Sequence, residues 1–154
     1  MKKEHVLVAG YAVHQAREVF RGLAERMAEI PGLRVQMFLD VQRRHGDTTK
    51  DSEILREFSQ RFKNKEWPGD RMPEVYYDPR ALQVNTTKKA SLHAKCIVVD
   101  RRVAFVSSAN FTEAAHVRNI EAGALIRSTH FATKLSRHFV SLAEAGLLKL
   151  LPGC

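Results

Sequence analysis

The stretch from Ser91 to Thr112, SLHAKCIVVDRRVAFVSSANFT, limits what this chain can fold into more than any other part of it. It reads as a strand, a two-arginine turn at Asp100 to Arg102 and a second strand. The first strand is expected to carry His93 and Lys95 and to end at Asp100, while the second runs into Ser108 and Asn110. Side chains alternate across a strand, so His93 and Lys95 share one face, as do Ser108 and Asn110. A hairpin lays the two faces side by side. An imidazole, an ammonium, a hydroxyl and a carboxamide then form one patch. That set suits attack on a phosphodiester: a nucleophile, a cation for the phosphate oxygens, and neutral donors to orient them. Cys96 falls on the opposite strand face and reads as a small core residue.

The flanking segments read as an α/β protein. His5 to Gly10 is a short apolar run that fits a buried strand. From Val13 to Ile30, apolar residues at Ala16, Phe20, Leu23, Met27 and Ile30 recur in steps of four and three, which marks an amphipathic helix. Pro31-Gly32 stops it, and Leu33 to Leu39 follows as a second strand. This order predicts a parallel strand pair with a helical crossover. Asp40 to Lys50 is a polar loop whose Arg43, Arg44 and His45 read either as phosphate contacts or as a solvated stretch. Asp51 to Lys65 reads as a helix capped by Asp51 or Ser52, and Glu74 to Tyr77 as a short strand.

After the central hairpin, Thr112 is placed as the cap of one or two helical turns. Asn119 to Ile126 is an apolar strand that contains Glu121, and a carboxylate there is expensive unless paired. Ser128 is placed as the cap of a final helix that ends at Gly146, before an apolar tail from Leu147 to Leu151.

A formal net charge of +8 favours polyanionic partners, nucleic acid (DNA foremost) before anionic membrane. Lys88 and Lys89, just ahead of the hairpin, are placed to steer a polyanion, with Arg118 beside them. Two cysteines without a CxxC pair suggest neither a disulfide scaffold nor a zinc site. The other histidines show no metal-ligand spacing, so metal-independent chemistry with no cofactor is expected. The apolar runs are too short for a signal sequence or a membrane span, which makes the cytoplasm the default compartment. Residues 1–154 are expected to form a single domain.

His93-x-Lys95, four residues, Asp100, six residues, then Ser107-Ser108-Ala109-Asn110 resembles the HKD signature of the phospholipase D superfamily. Ser107 stands where that signature carries glycine. The remainder of the chain is similar to the single-motif bacterial nucleases of the superfamily. The SSANFTEAA wording and the ending AGLLKLLP resemble the phospholipase D-like component (DrmC) of the DISARM phage-defence system. The resemblance implies a phospholipase D-like α/β fold, with a central mixed sheet flanked by helices on both faces. It implies His93 as nucleophile, Lys95, Ser108 and Asn110 on the phosphate, and Asp100 in a supporting role. It also implies that Glu121 orients His93; the alternative reading of Glu121 is an exposed edge-strand residue.

A single such motif leaves no second group in the chain to protonate the leaving oxygen. Single-motif relatives pair two chains, so the expectation is a homodimer with a shared active site. Three functional readings follow: a metal-independent nuclease acting through phosphohistidine, a nucleic-acid-binding subunit that works with defence-system partner proteins, and a phospholipid hydrolase or transferase.

Overall fold

The computed structural model describes residues 5–84 and 89–154. The expected steering residue Lys88 lies outside them. Strand β1 (His5–Gly10) is central. It runs parallel to β3 (Arg34–Leu39), with α1 (Arg17–Glu29) as the crossover helix, as the alternation of apolar segments predicts. β4 (Glu74–Tyr77) extends the parallel set. On the other side of β1, the hairpin strands β5 (Cys96–Val99) and β6 (Val103–Ser107) pair antiparallel, and β8 (Gly123–Arg127) forms the edge. β9 (Lys149–Leu150) closes the opposite edge against β4, so the expected apolar tail docks on the body: Leu148 and Leu151 are buried. The sheet order is β8-β6-β5-β1-β3-β4-β9.

Two apolar layers cover the mixed sheet. On one face Val8, Val35, Met37 and Val75 meet Phe20 and Met27 of α1 and Leu55 of α2 (Asp51–Arg61), with Phe62 and Trp67 beyond it. On the other face Leu7, Ala9, Phe38, Val98 and Ala104 meet Ala132 and Phe139 of α4 (Thr129–Glu144). Each fully buried large side chain contributes roughly 1.5–3 kcal/mol. Ser128 caps α4 through the Phe131 amide, and Gly146 leaves it at φ 73, a left-handed value that glycine adopts without penalty.

Several local expectations shift. The helix starts at Arg17, four residues later than the apolar period suggests. Val13–His14 (β2) instead pairs with Phe111–Thr112 (β7), and Gln15 turns through φ 51. Neither Asp51 nor Ser52 caps α2; its cap position is Lys50, with no side-chain bond, and the expected last turn is a π-helical segment from Phe62 to Glu66. The buried Glu66 carboxylate reaches across to accept from the Ala16 amide at 2.9 Å and so holds the start of α1.

Two corrections bear on the site. His93 and Lys95 precede β5 rather than lying in it, since the pairing of β5 with β1 stops at the Ala9–Cys96 pair. Glu121 precedes β8, and β8 is an exposed edge rather than a buried strand, with Leu125 59% exposed.

Candidate active site

The hairpin turn forms as expected, with Asp100 and Arg101 at φ 52 and 55 and the Arg102 amide donating to the Val99 carbonyl at 2.9 Å. Asp100 does not face the proposed chemistry. Its carboxylate accepts from the His5 amide at 2.8 Å and its own amide donates to the His5 carbonyl, so it pins the hairpin to the start of β1. The other proposed residues gather at the opposite end of β5, where β1 and β3 also terminate.

His93 is held there by the chain on both sides. One residue earlier, the Leu92 amide donates to the Asp40 carboxylate at 2.8 Å, and Gln42 bridges Asp40 and the Ala90 carbonyl. Two residues later, the Lys95 carbonyl accepts from the Ser107 amide at 3.1 Å, continuing the register of β5 and β6 for one more bond. The exposed imidazole packs against the Tyr11 ring, centroids 4.4 Å apart and planes tilted by 49°. The Lys95 ammonium lies 3.4 Å from His93 Nδ1 and 5.4 Å from the centre of the same Tyr11 ring. The expected sharing of a face by His93 and Lys95 thus holds at the level of contact, although the segment is not a strand.

Tyr11 arrives at this place because Gly10 precedes it. A Cβ at Gly10 would stand 2.6 Å from the Phe111 ring, so glycine lets β1 and the segment after β6 approach closely. The Phe111 amide donates to the Ala12 carbonyl at 3.1 Å, which fixes Asn110 beside the end of β1. The Asn110 Oδ1 is buried without a hydrogen-bond partner among the described residues. Buried polar atoms are rarely left unpaired, and those that are concentrate where a ligand or a catalytic role supplies the partner.

Ser107 needs no unusual backbone, and its hydroxyl has local work: it donates to the Ala122 carbonyl and accepts from the Ala109 amide at 3.0 Å. Serine in place of the signature glycine therefore closes the turn instead of straining it. Ser108 donates to the Glu121 carboxylate and accepts from the Ala122 amide. Asn119 also donates to Glu121, at 3.1 Å. These two bonds, that of Ser108 first, hold the Glu121 carboxyl below its ordinary pKa, and the nearby Lys95 charge adds to the effect. Among the described residues, the Glu121 hydrogen-bond partners are Ser108 and Asn119, not His93.

Tyr11 and Asp40 are the site residues that sequence reasoning missed. Both follow the C-terminal ends of parallel strands, the rim where open α/β sheets bind ligands, and that position was the available signal. Burial pushes the Asp40 carboxyl above its ordinary pKa, opposed by the Leu92 amide and the Gln42 side chain. Two basic expectations change. Arg43 is buried, its guanidinium bonded to the Leu82, Asp47 and Thr49 carbonyls and to Asp51, so it braces the loop. The Lys89 ammonium donates to the Arg43 carbonyl at 2.7 Å. Arg44 and Arg118 are exposed.

Beside Lys95 and Asn110 opens an apolar groove of about 460 Å³ between Phe20 and Leu23 of α1 and Ile97, Val99 and Phe105 of the hairpin. α1 covers β1 and β3 but leaves this half of the sheet bare. The exposed Val117, the last residue of α3 (Glu113–Val117), and the exposed Ile120 lie between β7 and β8.

Residues 2–143 match the family described as cardiolipin synthase, PLD-like domain. The chain is 35% identical over 123 residues to the DISARM protein DrmC of Bacillus paralicheniformis, a match spanning 79% of this chain and 43% of that protein. Among solved structures it is similar to the phospholipase D family member Nuc from Salmonella typhimurium, with TM-score 0.59 and 19% identity over 96% of this chain and 82% of that one. NucT from Helicobacter pylori has TM-score 0.60 and 18% identity, covering 91% and 79%. Phosphatidylserine synthase from Haemophilus influenzae has TM-score 0.56 and 14% identity, covering 96% and 34%. These structural likenesses concern the fold.

Proposed function

The chain belongs to the phospholipase D-like family, and from that premise we propose that it is a metal-independent phosphodiesterase acting on the nucleic-acid backbone through a phosphohistidine intermediate. The observation that carries the reading is the convergence of His93, Lys95, Ser108 and Asn110 at one exposed rim.

In this proposal the His93 imidazole attacks phosphorus, a P–N bond forms and the P–O bond to the leaving group breaks. Lys95 and the Asn110 carboxamide N–H hold the non-bridging oxygens as charge develops. The leaving oxygen takes a proton from a second imidazole, which then acts as base for the water that cleaves the P–N bond. That second imidazole is His93 of another copy of this chain. The bare apolar groove adjoining Lys95 and Asn110 supports pairing there, since exposed apolar surface next to a site that needs a second histidine suits a two-fold interface. In this reading Glu121 positions the machinery through Ser108 and Asn119. Turning to the imidazole once two chains are paired is the orienting role proposed for it.

No helix among the described residues is long and apolar enough to cross a membrane. The net charge of +8 favours nucleic acid, DNA first, over a lipid headgroup. The likeness to a DISARM protein supports a place in phage defence alongside partner proteins, in the cytoplasm where phage DNA is met. The chain spans under half the length of that relative, so its partners are part of the proposal.

The test is hydrolysis of DNA, RNA and phospholipid with EDTA present, comparing the native chain with His93→Ala. The reading expects nucleic-acid cleavage that the chelator spares and the substitution abolishes. Undiminished cleavage by His93→Ala, or cleavage of lipid alone, contradicts it.

A further inference from the structure

A second cleft, of about 700 Å³, lies between the end of β1, the loop after β3 and α2. Its volume is in the range of small-ligand sites. Tyr11 is common to this cleft and to the reactive rim: its ring packs on His93 in a tilted arrangement, and the residue is 37% exposed. A fixed wall stands within the cleft. The Arg61 guanidinium sits 5.2 Å from the centre of the Phe58 ring, and the buried Glu66 carboxylate holds it at 3.7 Å. Arg44, His14 and Gln42 complete the donors.

The charges are mixed, for Asp40, Asp47 and Glu57 also line the space. A cleft built to take a second phosphate would not carry three carboxylates. An aromatic platform beside interleaved donors and acceptors suits a base and its sugar instead. We propose that this cleft binds the nucleoside next to the scissile phosphate, with its base against Tyr11, so that Tyr11 couples substrate grip to the position of the His93 ring. The inference rests on the phosphodiesterase reading for the orientation of the substrate, but not for the existence of the cleft.

Mononucleotides are not cleaved by a phosphodiesterase, so binding is measurable on the intact chain. The experiment compares a deoxynucleoside 5′-monophosphate, a 2-deoxyribose 5-phosphate and the unphosphorylated nucleoside by calorimetry, on the native chain, Tyr11→Phe, Tyr11→Leu and Arg44→Ala. The expected result is that the mononucleotide binds the native chain about tenfold or more tighter than the sugar phosphate. Tyr11→Phe should keep that ratio of affinities and Tyr11→Leu should lose it, whichever way the sugar-phosphate affinity itself moves. Arg44→Ala, at an exposed side chain, should weaken mononucleotide and nucleoside alike. Equal affinity of mononucleotide and sugar phosphate for the native chain, or a base advantage that survives Tyr11→Leu, overturns the proposal. Nucleoside binding without any sugar-phosphate binding supports the cleft while counting against the phosphate site at His93, so the two readings fail separately.

Discussion

The Lys95 ammonium stands 3.4 Å from His93 Nδ1 and 3.1 Å from the His93 carbonyl oxygen, with the Tyr11 ring beneath both side chains. A donor at Nδ1 puts the imidazole proton on Nε2, the tautomer in which the outer nitrogen is least able to attack. In the proposed reaction an incoming phosphate offers Lys95 a better acceptor than Nδ1, so that binding would free that nitrogen to carry the proton.

In the proposed reaction Lys95 acts twice, on the phosphate and on the tautomer. Lys95→Met should lower kcat/KM for a chromogenic phosphodiester by about 10²–10³, the cost of one preorganised charge contact. Lys95→Arg should recover little, since a guanidinium fork does not reproduce a compact point charge. Melting temperatures of both variants should stay near that of the native chain, because the side chain is not part of the buried core. Near-native kcat/KM in Lys95→Met would contradict the assignment.

Glu121 is held ionised chiefly by the Ser108 hydroxyl and next by the Asn119 amide. Each donor stabilises the charged form, so removing it raises the carboxyl pKa toward its ordinary value. A carboxyl-carbon NMR titration should show the Glu121 midpoint rising in Ser108→Ala and rising less in Asn119→Ala. An unchanged midpoint in Ser108→Ala would contradict the bond.

At the other end of the strands, Arg34 donates twice to Glu74, at 2.9 Å each, and holds its carboxyl below the ordinary value; burial opposes this, and Gln36 and Tyr76 assist. The folded pKa lies below the unfolded one. The stabilisation is therefore complete above the unfolded carboxylate range, about 4.3, and disappears as pH falls through the folded value. Arg34→Ala should cost at most about 1 kcal/mol near neutrality, because the pair is partly hydrated. Denaturant melts should show that difference closing below about pH 4. A difference that widens in acid would reverse the sign argued here.

Phe105 lies over Gly123, where an added Cβ would come within 2.8 Å of its ring, and it fronts the apolar groove. If a second copy covers that face, Phe105→Asp should convert a species of twice the chain mass into a single chain in sedimentation, and activity should fall with it. A monomeric native chain with full activity would contradict the shared-site arrangement.

The elements that sequence alone located are those where periodicity and punctuation agree. β1, α1, β3 and β4 fall within a few residues of expectation, as do the Thr112 and Ser128 caps. What escaped was long-range. Glu66 caps α1 from fifty residues away, and no local pattern announces a carboxylate that serves another helix. The strand expected at Asn119 is apolar because it belongs to an uncovered face, and apolarity by itself does not distinguish a core from an interface. The signature spacing located His93, Lys95, Ser108 and Asn110, whereas Tyr11 and Asp40 join them only through the ends of two parallel strands.

The account depends on a covalent bond between His93 and phosphorus. Rapid acid-free quenching with a slowly hydrolysed phosphodiester, followed by peptide mass spectrometry, should find the added phosphoryl group on His93, at a level that rises when water attack is slowed. A phosphoryl group on another residue, or none during active turnover, would contradict it.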